Sequence, residues 1–147
     1  MKANEDIKVS GRLQIRVFDE NGTLKDERDF NNLVVTAGKG FIASRMVGTA
    51  SPVMSHMAIG SNSISPVVGD TALGGELGRA SLTSGTATGA VATYVATFNA
   101  GIGSGAVTEA GILNSGTGGT MLCRTVFPIV NKGASDTMTV TWTITIS

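Results

Sequence analysis

The residues able to do chemistry are few and scattered. His56 is the single histidine, and it directly follows Ser55. A serine beside a histidine can form a nucleophile–base pair if a third group orients the ring. Adjacent side chains on a strand point to opposite faces, so Ser55 and His56 are expected to diverge and His56 to be structural. One histidine without nearby cysteines or clustered acids makes no zinc site. Cys123, the only cysteine, lies among Met121, Leu122 and Val126, the setting of a buried, inert thiol. Gly38-Lys39-Gly40 lacks the spacing with which a glycine-rich loop cradles phosphate, and Gly101, Gly103 and Gly105 miss the dinucleotide pattern. Asp70, Glu76, Glu109 and Asp136 are far apart in the chain, and their spacing demands neither a hydrolytic carboxylate pair nor a calcium loop. The chain is read as a non-enzyme, with no catalytic residue, cofactor or metal.

Three charges stand out for a different reason. Arg79, Glu109 and Arg124 sit in otherwise uncharged strand segments. A charge in so neutral a setting needs a partner. Glu109 is expected to pair with Arg79 or Arg124, within a subunit or across an interface; the alternative is a solvated side chain on an outer face. With Arg12, Arg16 and Phe30 from the N-terminal segment, these make the set of candidate interface residues.

The elements that must position them follow from pattern. In 11–18, Leu13, Ile15 and Val17 alternate with Arg12, Gln14 and Arg16, the mark of a half-buried strand. Asn21-Gly22 then signals a hairpin turn, and a charged return strand over 23–30 suits an edge. This charged segment, 1–30, is expected to be a hairpin or an arm that grips a neighbour. Thr36 reads as the N-cap of one short helix over 36–47, with Phe41, Ile42, Arg45 and Met46 on its apolar stripe. Strands are expected over 55–60, 79–83, 90–98, 106–113 and 120–127, with 61–78 as loop and Pro128 weakening any central strand. The last segment, 137–146, alternates Met138, Val140, Trp142, Ile144 and Ile146 with five threonines. The sum is an all-β single domain over 1–147: an antiparallel β-sandwich, or its jelly-roll variant, with one short helix and an N-terminal hairpin.

Composition narrows the function. Only 15% of the residues are charged, against about 25% in ordinary domains. Eleven basic and eleven acidic residues cancel, without the basic excess of a nucleic-acid binder. Most of the charge lies before residue 46. The remaining surface of Thr, Ser, Gly and Ala either faces other subunits or is simply neutral and polar. Charges in Met1–Asp6 with no apolar run after them argue against a signal peptide, no stretch is long enough for a membrane span, and the lone cysteine suits a reducing cytoplasm.

Several segments, taken in order, resemble small virion structural proteins of tailed bacteriophages. They are Asn32-Leu33-Val34-Val35-Thr36-Ala37-Gly38-Lys39, Ser55-His56-Met57-Ala58-Ile59-Gly60, Gly69-Asp70-Thr71-Ala72-Leu73-Gly74, Thr108-Glu109-Ala110-Gly111-Ile112-Leu113-Asn114 and Gly119-Thr120-Met121-Leu122-Cys123-Arg124-Thr125-Val126-Phe127. Asn131-Lys132 and the closing threonine-rich strand complete the series, which runs from about residue 31 to the end. The resemblance implies a virion component and carries no catalytic residue across. The expected function is a capsid decoration (cement) protein, a dimer or trimer bound to the major capsid protein or other virion proteins. It would be assembled in the host cytoplasm, and it would bind neither nucleic acid nor membrane. The alternative is a tail-fibre, baseplate or other tail component. A carbohydrate-binding attachment module stands third, because only 5% of the residues are aromatic.

Overall fold

Alternation and turn chemistry build the elements largely where the pattern puts them. The structure, a computed structural model, describes residues 6–48 and 51–147. Met1–Glu5, most of the charged start, lie outside the described residues. In chain order the elements are β1 (Val9–Phe18), β2 (Leu24–Val34), α1 (Thr36–Met46), β3 (His56–Gly60), β4 (Glu76–Thr88), β5 (Val91–Phe98), β6 (Gly105–Leu113), β7 (Met121–Lys132) and β8 (Thr137–Ile146).

The strands close on themselves in the order β1-β2-β7-β6-β3-β4-β5-β8. This overturns the sandwich and its jelly-roll variant. β8 has both edges taken, pairing with β5 on one side and along the whole of β1 on the other, from Val9↔Ile146 to Phe18↔Thr137. No free edge remains there for an open sheet. The two architectures share the same period-two strand pattern, so the pattern alone could not separate them. β2 and β4 are the corner strands: β4 pairs with β3 through its first half and with β5 from Leu82 on, with an irregularity between Leu82 and Ser84.

Eight strands enclose a space that side chains can fill. Trp142, Phe98, Leu13, Ile15, Met57, Ile59 and Met138 occupy it, all fully buried. Each such side chain contributes about 1.5–3 kcal/mol relative to exposure. The Trp142 indole N–H donates to Asn32 Oδ1 at 2.8 Å, so its polar end is satisfied. Apolar residues point inward and Thr, Arg and Glu outward, the reverse of a membrane-spanning barrel with its apolar outer band. No helix among the described residues is long and apolar enough to cross a membrane.

The wall is thinnest between β2 and β7, where only Leu33↔Arg124 and Val34↔Cys123 are in register. Beyond them Phe30 stacks on Phe127, ring centroids 4.8 Å apart, and Thr125 Oγ1 donates to the Asn31 carbonyl at 2.8 Å. The β1–β2 hairpin is therefore two staves of the wall, with Leu13, Ile15 and Val17 in the core. From Val9 to Phe30 the segment builds the hairpin, joined to the wall, and not a free arm.

Two local expectations fail for clear reasons. Thr36 does not cap α1; Val35 holds the N-cap position with no side-chain bond. The Thr36 N–H donates instead to the Val68 carbonyl at 2.8 Å, so a loop supplies the acceptor that a capping side chain would. β7 runs through Pro128, which is exposed and lies opposite an irregularity of β6 between Val107 and Glu109. A bulge is where a strand tolerates a residue without an N–H.

Helix α1 sits on one end of the barrel. A Cβ on Gly38 would lie 2.0 Å from the Leu122 carbonyl oxygen, so glycine is what lets the helix approach β7. Phe41 and Ile42 then pack on the core, while Met46 is exposed.

Candidate functional site

The charged residues flagged by their neutral surroundings meet in one buried cluster. Glu109 and Gly111 alternate outward on β6, and Arg124 lies opposite Gly111 on β7. That register brings Arg124 diagonally beside Glu109. Arg124 Nε and one terminal nitrogen donate to Glu109 Oε2 at 3.0 and 2.9 Å. Glu109 is fully buried and Arg124 is 3% exposed. The pair lies within one subunit, and Arg124, not Arg79, is the partner.

The cluster reaches further than the pair. Glu109 Oε1 accepts the backbone N–H groups of Asn62 and Gly75 at 3.2 and 2.7 Å, and Oε2 accepts that of Gly74 at 3.0 Å. Arg124 also donates to Asp70 Oδ2 at 3.0 Å and to the Ile64 carbonyl at 3.2 Å. All these partners belong to residues 61–75, which have no repeating secondary structure of their own. The buried carboxylate thus latches this loop onto the outside of β3, β6 and β7. Leu73 packs beneath the loop on a small second core of Val35, Ala58, Leu113 and Met121. Sequence reasoning flagged Glu109 and Arg124 but missed the latch. The available signal was Gly74-Gly75, a pair with no side chain to keep the backbone from a carboxylate.

The other candidate interface residues lie elsewhere. Arg79 pairs with Glu76 at 2.7 Å and donates to the carbonyls of Ser115 and Gly118, tying the β6–β7 turn to β4. Arg12 and Arg16 stand on the outer face of β1 and meet Asp29 and Glu27 of β2 at 3.4 and 3.5 Å. Such exposed pairs are worth about 0–1 kcal/mol. Phe30 faces inward at the β2–β7 seam.

Ser55 and His56 do not diverge. Ser55 precedes β3, so strand alternation does not govern it, and its Oγ lies 2.8 Å from His56 Nδ1. Ser81 Oγ lies 3.3 Å from His56 Nε2. This Ser–His–Ser chain has a base and two hydroxyls, but no carboxylate among its hydrogen bonds to fix the ring as an acid would. Burial pushes the Cys123 thiol well up, against a smaller lowering by a backbone bond to Ile112, which disfavours the reactive thiolate.

A second polar clamp closes the far end of the barrel. Lys25 Nζ meets Asp136 Oδ2 at 2.6 Å. That bond, then the Gly133 amide, holds the Asp136 carboxyl below the usual carboxylate range. Lys132 is buried and donates to the Asn99 carbonyl at 3.0 Å; desolvation lowers its pKa, opposed by Asp136.

A broad surface without charge covers the outer face of β5, β8 and the second half of β4, Ser84–Thr88. Thr86, Thr93 and Thr143 stand side by side in one row, and Ser84, Val95 and Thr141 in the next. Charge returns at β1, with Arg12 beside Thr143 and Arg16 beside Thr139, and at the start of β4, with the Glu76–Arg79 pair. Trp142 is fully buried, so it offers no platform for a sugar ring. Among the described residues no group of three or more His, Cys, Asp or Glu could hold a metal ion. Comparison of the chain with protein-family models, with curated proteins and with solved structures finds no match.

Proposed function

We propose that this chain is a structural protein of a tailed-phage particle, present in many copies, and that it decorates the outside of the head as a cement protein. The observation that carries the reading is the uncharged, hydroxyl-rich face spanning the second half of β4, β5 and β8. Immobilising Lys or Arg in an interface loses about 1.5–2 kcal/mol of rotamer freedom each. Threonine has a single side-chain rotor and loses less. A wall of threonines can be covered by a neighbouring subunit at small cost, and its hydroxyls can bond across the contact. Two further features support the reading. The barrel interior is filled by its own side chains, which suits a building block better than a carrier. The most buried ion pair among the described residues, Glu109 with Arg124, is satisfied within one subunit and leaves that outer face to hydroxyls. The partners would be the major capsid protein and sister copies, in the virion.

Copy number tests this. Quantitative mass spectrometry of purified virions, referenced to the major capsid protein, should count hundreds of copies per particle. A count in the tens or below moves the protein to the tail or a fibre, and absence from virions removes the reading.

A further inference from the structure

The exposed large apolar residues are not spread over the barrel wall. Outside the latched loop they gather at its two ends. Ile7, Met46, Val47, Val53 and Ile146 lie at the end that carries α1, and Leu24, Leu77, Ile102 and Ile129 at the opposite end. The α1 end also holds an apolar cleft of about 220 Å³ between helix and barrel mouth, lined by Phe41, Ile42, Tyr94, Leu122 and Ile144, with Arg45 at its rim.

Charge divides the same way. Lys8, Lys39 and Arg45 belong to the α1 end, and none makes an ion pair with a described residue. Among the described residues, Asp6 is the one acid beside them without an ion pair. At the opposite end the turn between β1 and β2 presents Asp19 and Glu20, also without ion pairs. Asp19 Oδ1 accepts the N–H groups of Asn21 and Thr23 at 2.9 Å, so this acidic tip is held in shape. Leu24 follows it, 47% exposed.

From this complementarity of charge and of exposed apolar surface we infer that copies of the chain associate head to tail. The β1–β2 turn of one copy seats on the α1 end of the next, Glu20 against Arg45 and Leu24 in the cleft. Each contact uses a different end of its two partners and leaves the other end of each free, so the contact repeats into a ring or a stack. It leaves the threonine face free. The inference goes beyond the virion reading: it concerns only contact between identical chains, and purified protein decides it whatever particle the chain joins.

The experiment is sedimentation velocity on the purified protein at concentrations up to about 1 mM, for the wild type and for Glu20→Lys, Arg45→Glu and the two combined. The expected result is association that grows with concentration and weakens with salt. Each single reversal should weaken it about tenfold and the double reversal should restore it, as for a close charge pair across an interface. All these positions are exposed, and circular dichroism checks that the folds match. A monomer at every concentration overturns the inference, as does association that ignores the reversals. Association lost in Thr141→Arg but not in the reversals overturns it in favour of the threonine face. A native mass showing a small acidic amphiphile bound to a monomer overturns it in favour of a ligand in the cleft.

Discussion

Replacing Glu109 by glutamine keeps the size of the side chain and replaces one acceptor oxygen with a donor. In the wild type every group facing the carboxylate is a donor: three backbone amides and two nitrogens of Arg124. With its oxygen on the Arg124 side, the glutamine leaves the Asn62 and Gly75 amides facing an NH2 group. The other orientation abandons Gly74 and Arg124. The first is cheaper, because Arg124 keeps an acceptor and also keeps Asp70. Two orphaned amides at about 1–3 kcal/mol each, lessened where loop movement lets water in, lead to an expected loss of about 3 kcal/mol. That is a large share of the roughly 5–15 kcal/mol that holds a domain together. Urea unfolding reads the global part. Amide exchange reads the local part, because a latch that opens should expose Asn62, Gly74 and Gly75 before the barrel strands. Arg124→Met should cost about 3–5 kcal/mol, because it strands a buried carboxylate. The double variant should fall short of the sum by at least about 1 kcal/mol, the sign of one shared network. A Glu109→Gln loss under about 1 kcal/mol, with those three amides still protected, would refute the latch.

Other consequences are equally direct. Gly38→Ala should destabilise by about 1–3 kcal/mol, since the new methyl meets the Leu122 backbone. Gly40→Ala meets nothing within 4 Å and should stabilise by about 0.5–1 kcal/mol through helix propensity; thermal melts of the two compare them. A double-mutant cycle on Phe30 and Phe127 by urea unfolding should yield a coupling of about 0.5–1.5 kcal/mol for the stacked pair, and zero coupling would mean the seam is held elsewhere. Asp136 has a depressed folded pKa, so its contribution is present above the ordinary carboxyl range and disappears as pH falls through the folded value. Urea midpoints should therefore favour the wild type over Lys25→Met at neutral pH and converge in acid.

Much of this fold is legible in the residues. The threonine alternation of 137–146 marks β8 and its core face, and Asn21-Gly22 marks the first hairpin, with Gly22 at a φ of 79°. Glu109 and Arg124 are conspicuous because the segments around them, 106–113 and 120–127, carry no other charge. The choice of Arg124 over Arg79 was not legible. It depends on the β6–β7 register, and on an irregularity beside Glu109 that no periodicity announces. Asp70 and the amides of Gly74 and Gly75 come from a loop, where there is no repeat to read. The meeting of Ser55 with His56 was hidden because alternation applies only inside a strand.

The sequence by itself determined which face of each strand turns inward, where the main turns fall and that charge is scarce, since these depend on neighbours a few residues apart. Only the tertiary structure decided that the sheet closes, that the latch forms and that the ends differ in charge. Those depend on hydrogen bonds and packing between distant segments, as when β8 returns to pair with β1, and the local pattern is the same whichever strand lies alongside.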